Sequence, residues 1–240
     1  MNKILIAVFL AAGFFFTPQA QAASFDDMLK GVRIPAGLSR EDSTTVSGLK
    51  EALSVGTDRA VKSVSKTDGY FKDQAIKILM PDKIQKAADV LKLAGYSKEV
   101  DDFVLSMNRA AEKAAPEASA IFVDAIKQMS FDDAGKILKG GNTAATEYFK
   151  TKTSGPLFEK FKPIVSSSMN EVGVTRSYKA MTEKYSSAAP FMKMESLDLD
   201  RYVTDKALAG LFFKLGQEEK AIRTDPAART TELLRKVFAQ

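Results

Sequence analysis

The sequence predicts an all-α protein, a compact bundle of about nine or ten helices with no significant sheet. Apolar residues recur at intervals of three and four through almost the whole chain after residue 38. No segment shows the strict alternation of a half-buried strand, and capping residues, prolines and glycines stand where the apolar stripes begin and end. Without a fixed-period repeat or a Pro/Ser-rich linker, we expect a single helical domain over residues 39–240.

The first 22 residues have the features of a cleaved signal peptide. Lys3 gives a positive start, residues 4–16 form an almost unbroken apolar run, and Ala-Gln-Ala at 20–22 offers a small-x-small cleavage pattern. The run has 13 residues, whereas a membrane-spanning helix needs about 20. A retained signal anchor is the alternative. We expect export to a bacterial periplasm as a soluble mature chain with no transmembrane segment.

Residues 23–38 are predicted to be an irregular lead-in, because Gly31, Pro35 and Gly37 discourage a long helix. Ser39 can cap the first helix, which we expect to end near residue 68. Residues 70–81 lack a clear period and precede a helix, so they are predicted to be a packed connector.

Five or six more helices are predicted between residues 81 and 172, because Pro116 either kinks or divides one of them, and three between residue 175 and the end of the chain. The helices between residues 81 and 172 are predicted to begin or end at Pro81, Gly95, Ser97, Pro116, Ser130, Gly140, Thr143 and Pro156. The last three are predicted over residues 175–185, 199–222 and 226–238.

Composition excludes several classes of function. The chain has no cysteine, no histidine and no tryptophan, so it has no thiol nucleophile, no His-based triad and no soft metal site. Its 35 basic and 30 acidic residues are interspersed, with a formal charge of +5. That balance does not favour nucleic acid. We expect no enzyme activity, no catalytic residues, no metal and no cofactor.

The strongest candidate for a polar ligand anchor is Asn108, Arg109 and Glu112. On a helix, Asn108 and Glu112 are four residues apart and Arg109 and Glu112 are three apart, so the side chains can meet. Arg109 could bind an anionic head group through two hydrogen bonds. A buried polar knot that sets helix register is the alternative.

Three further ligand-binding candidates are Tyr148, Arg223 and Arg229. The two arginines lie near the start of the last predicted helix, where phosphate or carboxylate could bind. Asp225 already occupies that helix cap and would repel an anion, so a structural role is the alternative.

A chain of motifs distributed over residues 48–238 carries a family resemblance. They include Asp68-Gly69-Tyr70-Phe71, Asn108-Arg109-Ala110-Ala111-Glu112, Tyr202-Val203-Thr204-Asp205-Lys206-Ala207-Leu208 and Pro226-Ala227-Ala228-Arg229-Thr230-Thr231. The sequence resembles the bacterial family of exported proteins of unknown function DUF4197. The resemblance implies export and an all-helical fold, and it implies no activity.

Two functions remain open. The first is a binding protein that holds a hydrophobic or amphipathic small molecule, such as a lipid, because 16 phenylalanines and 9 methionines could line an adaptable pocket. Those residues could equally fill a core. The second is a scaffold that presents a helical surface to a protein partner in the envelope.

Overall fold

A computed structural model describes residues 40–171, 173–188 and 198–229, together with residues 231 and 235. The predicted signal peptide (1–22), the lead-in (23–38), the loop at Pro190 and most of the final predicted helix lie outside the described residues. From Arg40 onward, the described chain belongs to one compact unit.

The described residues form helices joined by turns and irregular connections, with no strand among them, so the all-α prediction is confirmed. The α-helices are α1 Arg40–Ser65, α2 Asp82–Leu93, α3 Ser97–Ala114, α4 Ala118–Gln128, α5 Phe131–Lys139, α6 Ala144–Glu171, α7 Val174–Ala188 and α8 Leu199–Thr224. Short 3₁₀ turns follow α3 and α8, at Ala115–Glu117 and Pro226–Ala228.

The expected number of helices was wrong: the described part of the chain has eight α-helices, fewer than nine or ten. The predicted break at Pro156 does not occur, because Pro156 and Pro163 both lie inside the 28-residue α6. An internal proline costs a helix about 3 kcal/mol. Burial of Phe149, Leu157 and Phe161 on one face spans the first proline and outweighs that cost.

The core forms where the long helices meet. Helix α8 packs against α6 and α1, while α3 packs against α6 and α7, and α2 against α7. Phe122 of α4 meets Phe149 of α6 and Phe212 of α8 edge-on, with ring centroids 5.2 and 6.2 Å apart. These ring contacts join α4, α6 and α8 in the core.

The connector between α1 and α2 covers residues 66–81 and includes the predicted residues 70–81. It begins earlier than expected, because α1 ends at Ser65 and not near residue 68. It consists of turns followed by an irregular stretch. Gly69 is required at its start, because a Cβ there would lie 2.6 Å from the Val64 carbonyl oxygen. Asp68 has a positive φ of 66°, a conformation that asparagine and aspartate tolerate better than most residues. The tight turn brings the connector back across α3.

Candidate functional site

Asn108 holds the second half of the connector. Its side chain is fully buried, and it donates hydrogen bonds to the carbonyls of Ile78 and Val104, both at 2.8 Å. Its amide oxygen accepts from the Ile78 N–H at 2.8 Å. The side chain therefore satisfies both backbone groups of Ile78, as a neighbouring strand would.

Glu112 holds the first half of the connector, one turn further along α3. Its carboxylate is buried, with 4% of the residue exposed, and accepts hydrogen bonds from the Tyr70 and Phe71 N–H groups at 3.0 and 3.2 Å. Arg109 donates to its other oxygen at 2.6 Å. A buried carboxylate needs such compensation, because its desolvation alone is unfavourable.

Arg109 extends the network outward to the surface. It donates to Asp68 at 2.6 Å, and Lys72 pairs with the other Asp68 oxygen at 2.7 Å. Hydrogen bonds from Lys72 and then Arg109 lower the pKa of Asp68. Partial burial alone would lower the pKa of Arg109, but its hydrogen bonds to Glu112 and Asp68 together outweigh burial and raise it. We call Asp68, Asn108, Arg109 and Glu112 the connector clamp.

Tyr70 anchors the connector from the opposite side. The fully buried ring sends its hydroxyl to the Ala207 carbonyl of α8 at 2.7 Å. Burial, with a smaller contribution from the charge of Glu112, raises the pKa of Tyr70. A Cβ at Gly210 would lie 2.6 Å from this ring, so α8 approaches the connector only because residue 210 is glycine.

The other predicted site residues lie on different elements. Arg223 of α8 donates to Glu219 through Nε and Nη2 at 3.0 and 2.9 Å, and to the Ile137 carbonyl at 2.8 Å. Arg229 donates to the carbonyls of Ile222 and Arg223 at 3.0 and 2.8 Å, which closes the end of α8.

Glu219 accepts most of the hydrogen bonds near the end of α8, and it was not among the site residues predicted from the sequence. Its buried carboxylate accepts from the Ala145 and Thr146 N–H groups at 2.9 and 2.8 Å, and from the Thr146 hydroxyl at 2.8 Å. It therefore caps the start of α6 from another helix. We call Glu219, Arg223 and Thr146 the helix clamp. The favourable 219/223 spacing was the available sequence signal.

Tyr148 joins neither clamp through its hydroxyl, which donates to the Ala125 carbonyl of α4 at 3.1 Å. Burial, and to a smaller extent the charge of Asp133, raises the pKa of Tyr148. The structure thus brings Arg109 and Glu112 together and places Asn108 on the same connector through Ile78. It gives Tyr148, Arg223 and Arg229 separate backbone partners at helix ends.

Every buried side-chain polar atom in the described part of the chain has a hydrogen-bond partner. The buried groups of the predicted anchor therefore bind the protein's own backbone. Within the same described residues, no group of three or more acidic side chains is placed to hold a metal ion.

A surface groove lies directly beside the connector clamp. It has a volume of about 470 Å³ between the connector, α2 and α3, within the range of sites for small organic ligands. Its apolar lining residues are Phe71, Leu79, Met80, Val100 and Val104. Its polar lining residues are Lys77, Gln85, Lys92 and Asp101. We call this the connector groove.

The connector clamp sets the shape of the connector groove. Glu112 holds the backbone of Phe71, and Asn108 holds that of Ile78, the residue between Lys77 and Leu79. The Lys77 ammonium lies 4.2 Å from the Phe71 ring centroid, a favourable cation–π distance. The sequence did not identify this groove, because its walls come from segments that only the fold brings together.

A second surface groove of about 440 Å³ runs between the start of α6 and the second half of α8. Its apolar lining residues are Ala209, Phe212, Phe213 and Gly216, and its charged lining residues are Glu147, Lys150 and Lys220. We call this the interhelix groove. By contrast, the apolar crevice behind Glu219 has only about 20 Å³, which is room for about one water molecule.

In the described part of the chain, no helix is both long enough and apolar enough to cross a membrane. The DUF4197 family profile, described as a protein of unknown function, matches residues 39–239, which include both clamps and both grooves. No curated protein and no solved structure matches the chain. The resemblance carried by the sequence motifs is confirmed, and the chain belongs to the DUF4197 family.

Proposed function

We propose that this protein is a non-catalytic binding protein of the cell envelope. Its ligand is an anionic amphipathic small molecule, a fatty acid or an acidic lipid, held in the connector groove. The observation that carries the proposal is the apolar groove of about 470 Å³ with Lys77 and Lys92 among its lining residues.

The chemistry of the groove suits a ligand with one apolar and one charged end. Phe71, Leu79 and Val104 offer an apolar surface for an acyl chain, because burying such a chain removes apolar area from water. A carboxylate or phosphate can pair with Lys77. Asp101 lies in the same lining and disfavours a ligand with a second negative charge nearby.

The buried clamp supports a binding role for the connector. An irregular surface segment loses conformational entropy when it is ordered, and here a buried carboxylate and a buried amide are used to order it. A preformed groove binds more tightly because the ordering cost is met before the ligand arrives.

The proposal is tested by titrating the purified protein with the fluorescent fatty acid 11-(dansylamino)undecanoic acid. We expect saturable binding, weakened at least about tenfold by Lys77→Glu, since this change removes a charge-assisted hydrogen bond and adds repulsion between two anions. Val104→Phe, which narrows the groove without adding charge, should weaken binding. Lys152→Glu, which lies outside the connector groove, is the control.

Equal binding by the parent protein and the Val104→Phe variant would contradict the proposal. Mass spectrometry of protein purified from the cell envelope, before and after solvent extraction, supplies the chemical identity of any natural ligand.

A second candidate function is presentation of a surface to an envelope protein, and the interhelix groove favours it. Phe213 in its lining is 45% exposed, and Gly216 has room for a side chain, because a Cβ there would meet only Thr146 at 3.6 Å. Phe213→Asp should then abolish co-purification of a stoichiometric partner. Unchanged recovery of that partner would eliminate the interhelix groove as its binding surface.

We also propose that the chain reaches the bacterial periplasm through cleavage of residues 1–22. Amino-terminal sequencing of the periplasmic protein should begin at Ala23. A start at Met1 in a membrane fraction would favour the retained anchor.

A further inference from the structure

The connector groove has polar side chains at two separate places. One is Lys77 on the connector, where we propose that an anionic head group binds. The other lies beside the short turn, residues 94–96, that joins α2 to α3. There Lys92 of α2 and Asp101 of α3 both line the groove. We call these two places the connector end and the turn end of the groove.

The two ends lie about two helical turns apart. Gln85 and Lys92 line the groove from one face of α2, seven residues apart, which is about 10 Å along a helix axis. On α3 the same spacing separates Asp101 from Asn108, whose side chain bonds the connector at the residue after Lys77. Both helices therefore give the groove the same length.

The lining between the two ends is apolar. Val104 follows Asp101 by three residues on α3 and lies between the two ends, partly exposed. Leu79, which also lines the groove, is 61% exposed. An acyl chain that runs from one end to the other would cover both side chains and remove their apolar area from water.

The fold leaves the cation and the anion of the turn end unpaired. Lys92 and Asp101 are both exposed, and within the described part of the chain neither has an ion pair or a side-chain hydrogen bond. Their neighbours Lys98 and Asp102 pair with each other instead. Residues 77–102 contain five lysines and five acidic residues, so the positions of these side chains, and not a net charge, determine what binds.

The turn end favours an uncharged group that both donates and accepts a hydrogen bond. A carboxylate there would pair with Lys92 but would be repelled by Asp101, and for an ammonium the two effects are reversed. A hydroxyl can donate to the carboxylate of Asp101 and accept from the ammonium of Lys92. Both hydrogen bonds would involve a charged partner, and such bonds are the stronger ones.

We propose that the connector groove selects a medium-chain fatty acid with a hydroxyl at the far end of its acyl chain. The carboxylate lies at Lys77, and the hydroxyl lies between Lys92 and Asp101. This inference rests on the proposed function, because it assigns both ends of the ligand proposed there. A fatty acid with an apolar tail end would bring hydrocarbon against two charged groups, which is unfavourable because it displaces their water.

The test is displacement of bound 11-(dansylamino)undecanoic acid by decanoic acid and by 10-hydroxydecanoic acid. In a groove without a partner for the hydroxyl, decanoic acid would bind more tightly, because a hydroxyl is costly to remove from water. We expect the opposite order, with 10-hydroxydecanoic acid binding about tenfold more tightly, the effect of one hydrogen bond to a charged group. The isomer 3-hydroxydecanoic acid, whose hydroxyl lies beside the carboxylate, should bind no more tightly than decanoic acid.

Two variants locate the hydroxyl. Asp101→Ala and Lys92→Ala should each remove most of the preference for 10-hydroxydecanoic acid, because each leaves the hydroxyl with one partner, and both should still bind the fluorescent probe. Asp102→Ala and Lys86→Ala are the matched controls, since these residues lie on the same two helices but do not line the groove. Both controls should keep the preference. Thermal unfolding of each variant confirms that it is folded.

The outcomes separate this inference from the proposed function. If the parent protein binds the probe but prefers decanoic acid, or binds both acids equally, the inference is overturned and the ligand proposal stands. A preference for 10-hydroxydecanoic acid that is unchanged in Asp101→Ala and in Lys92→Ala would also overturn it. A protein that binds neither the probe nor any of the three acids would contradict the proposed function and this inference together.

Discussion

The connector clamp and the helix clamp solve the same problem at two places in the molecule. Each centres on a buried glutamate that accepts hydrogen bonds from two consecutive backbone N–H groups and from an arginine on the same helix. Glu112 receives the N–H groups of an irregular connector, whereas Glu219 receives those at the start of α6.

The difference between the two clamps lies in what they hold. The first N–H groups of any helix lack intrahelical partners and favour a negative charge, so Glu219 meets a requirement of α6 itself. Arg223 adds the carbonyl of Ile137 near the end of α5, and the helix clamp thus ties three helices together. Glu112 has no helix to cap. Glu112 instead orders a segment that forms one wall of the connector groove. The helix clamp therefore mainly stabilises the fold, whereas the connector clamp mainly fixes the shape of the groove.

The largest expected effect is on the free energy of unfolding when each glutamate is truncated. Glu219→Ala should cost about 3–5 kcal/mol, because it leaves Arg223 buried without its counter-charge. Glu112→Ala should cost less, about 2–3 kcal/mol, because the Arg109 side chain is 29% exposed against 12% for Arg223. Urea unfolding measures both.

Glu147→Ala is the control for those two variants, since its side chain is 61% exposed and surface substitutions change stability by about 0.5 kcal/mol or less. A Glu112→Ala variant as destabilised as Glu219→Ala would show that the connector clamp is equally important for stability, and the contrast between the clamps would fail.

The second effect distinguishes two glycines of α8, one beside each clamp. Gly210→Ala should destabilise the protein by about 1–3 kcal/mol, because the new methyl overlaps the Tyr70 ring. Gly216→Ala should stabilise it by about 0.5–1 kcal/mol, since alanine favours the helix and the contact with Thr146 stays at an ordinary 3.6 Å. Thermal unfolding followed by circular dichroism shows whether each variant is stabilised or destabilised. If both variants shift the melting temperature in the same direction, the close approach of α8 to the connector does not depend on glycine at position 210.

The smallest effect is a pH dependence at the outer end of the connector clamp. The pKa of Asp68 is lowered in the folded protein. Its contribution to stability is therefore present above its unfolded pKa of about 3.9 and lost as pH falls through the lower folded value. Asp68→Asn keeps a residue that tolerates positive φ and removes the charge. The stability difference between the parent protein and Asp68→Asn should be present at neutral pH and shrink toward pH 3. A difference that does not change with pH would mean that the charge of Asp68 contributes nothing.

Much of the helical architecture could be predicted from local sequence. The stripe of Ile84 and Leu91 marks α2, and Ser130 marks the start of α5 as predicted; the structure adds that Ser130 forms a capping box with Asp133. Pro156 misled the prediction because the rule that proline ends helices is local. The burial that keeps α6 continuous depends on α8, α3 and α4, which pack against it from elsewhere in the chain.

The candidate site was predictable in part. Helical periodicity placed Asn108, Arg109 and Glu112 on one side of α3. Arg109 and Glu112 do meet, whereas Asn108 bonds the backbone of Ile78 and Val104. Their partners Ile78 and Tyr70 lie 30 and 42 positions away in the chain, so nothing in local spacing could identify them. The choice between a ligand anchor and a structural knot depended on those partners.

The sequence by itself determined the helical class, the family and which polar residues of α3 share a face, because all three follow from local periodicity and motifs. Tertiary structure alone decided that the buried anchor groups bind backbone, that Glu219 caps a distant helix and that a groove opens beside the connector. Those features depend on where separate segments meet. Contacts between residues far apart in the chain are set by the packing of the whole core, which no short stretch of sequence encodes.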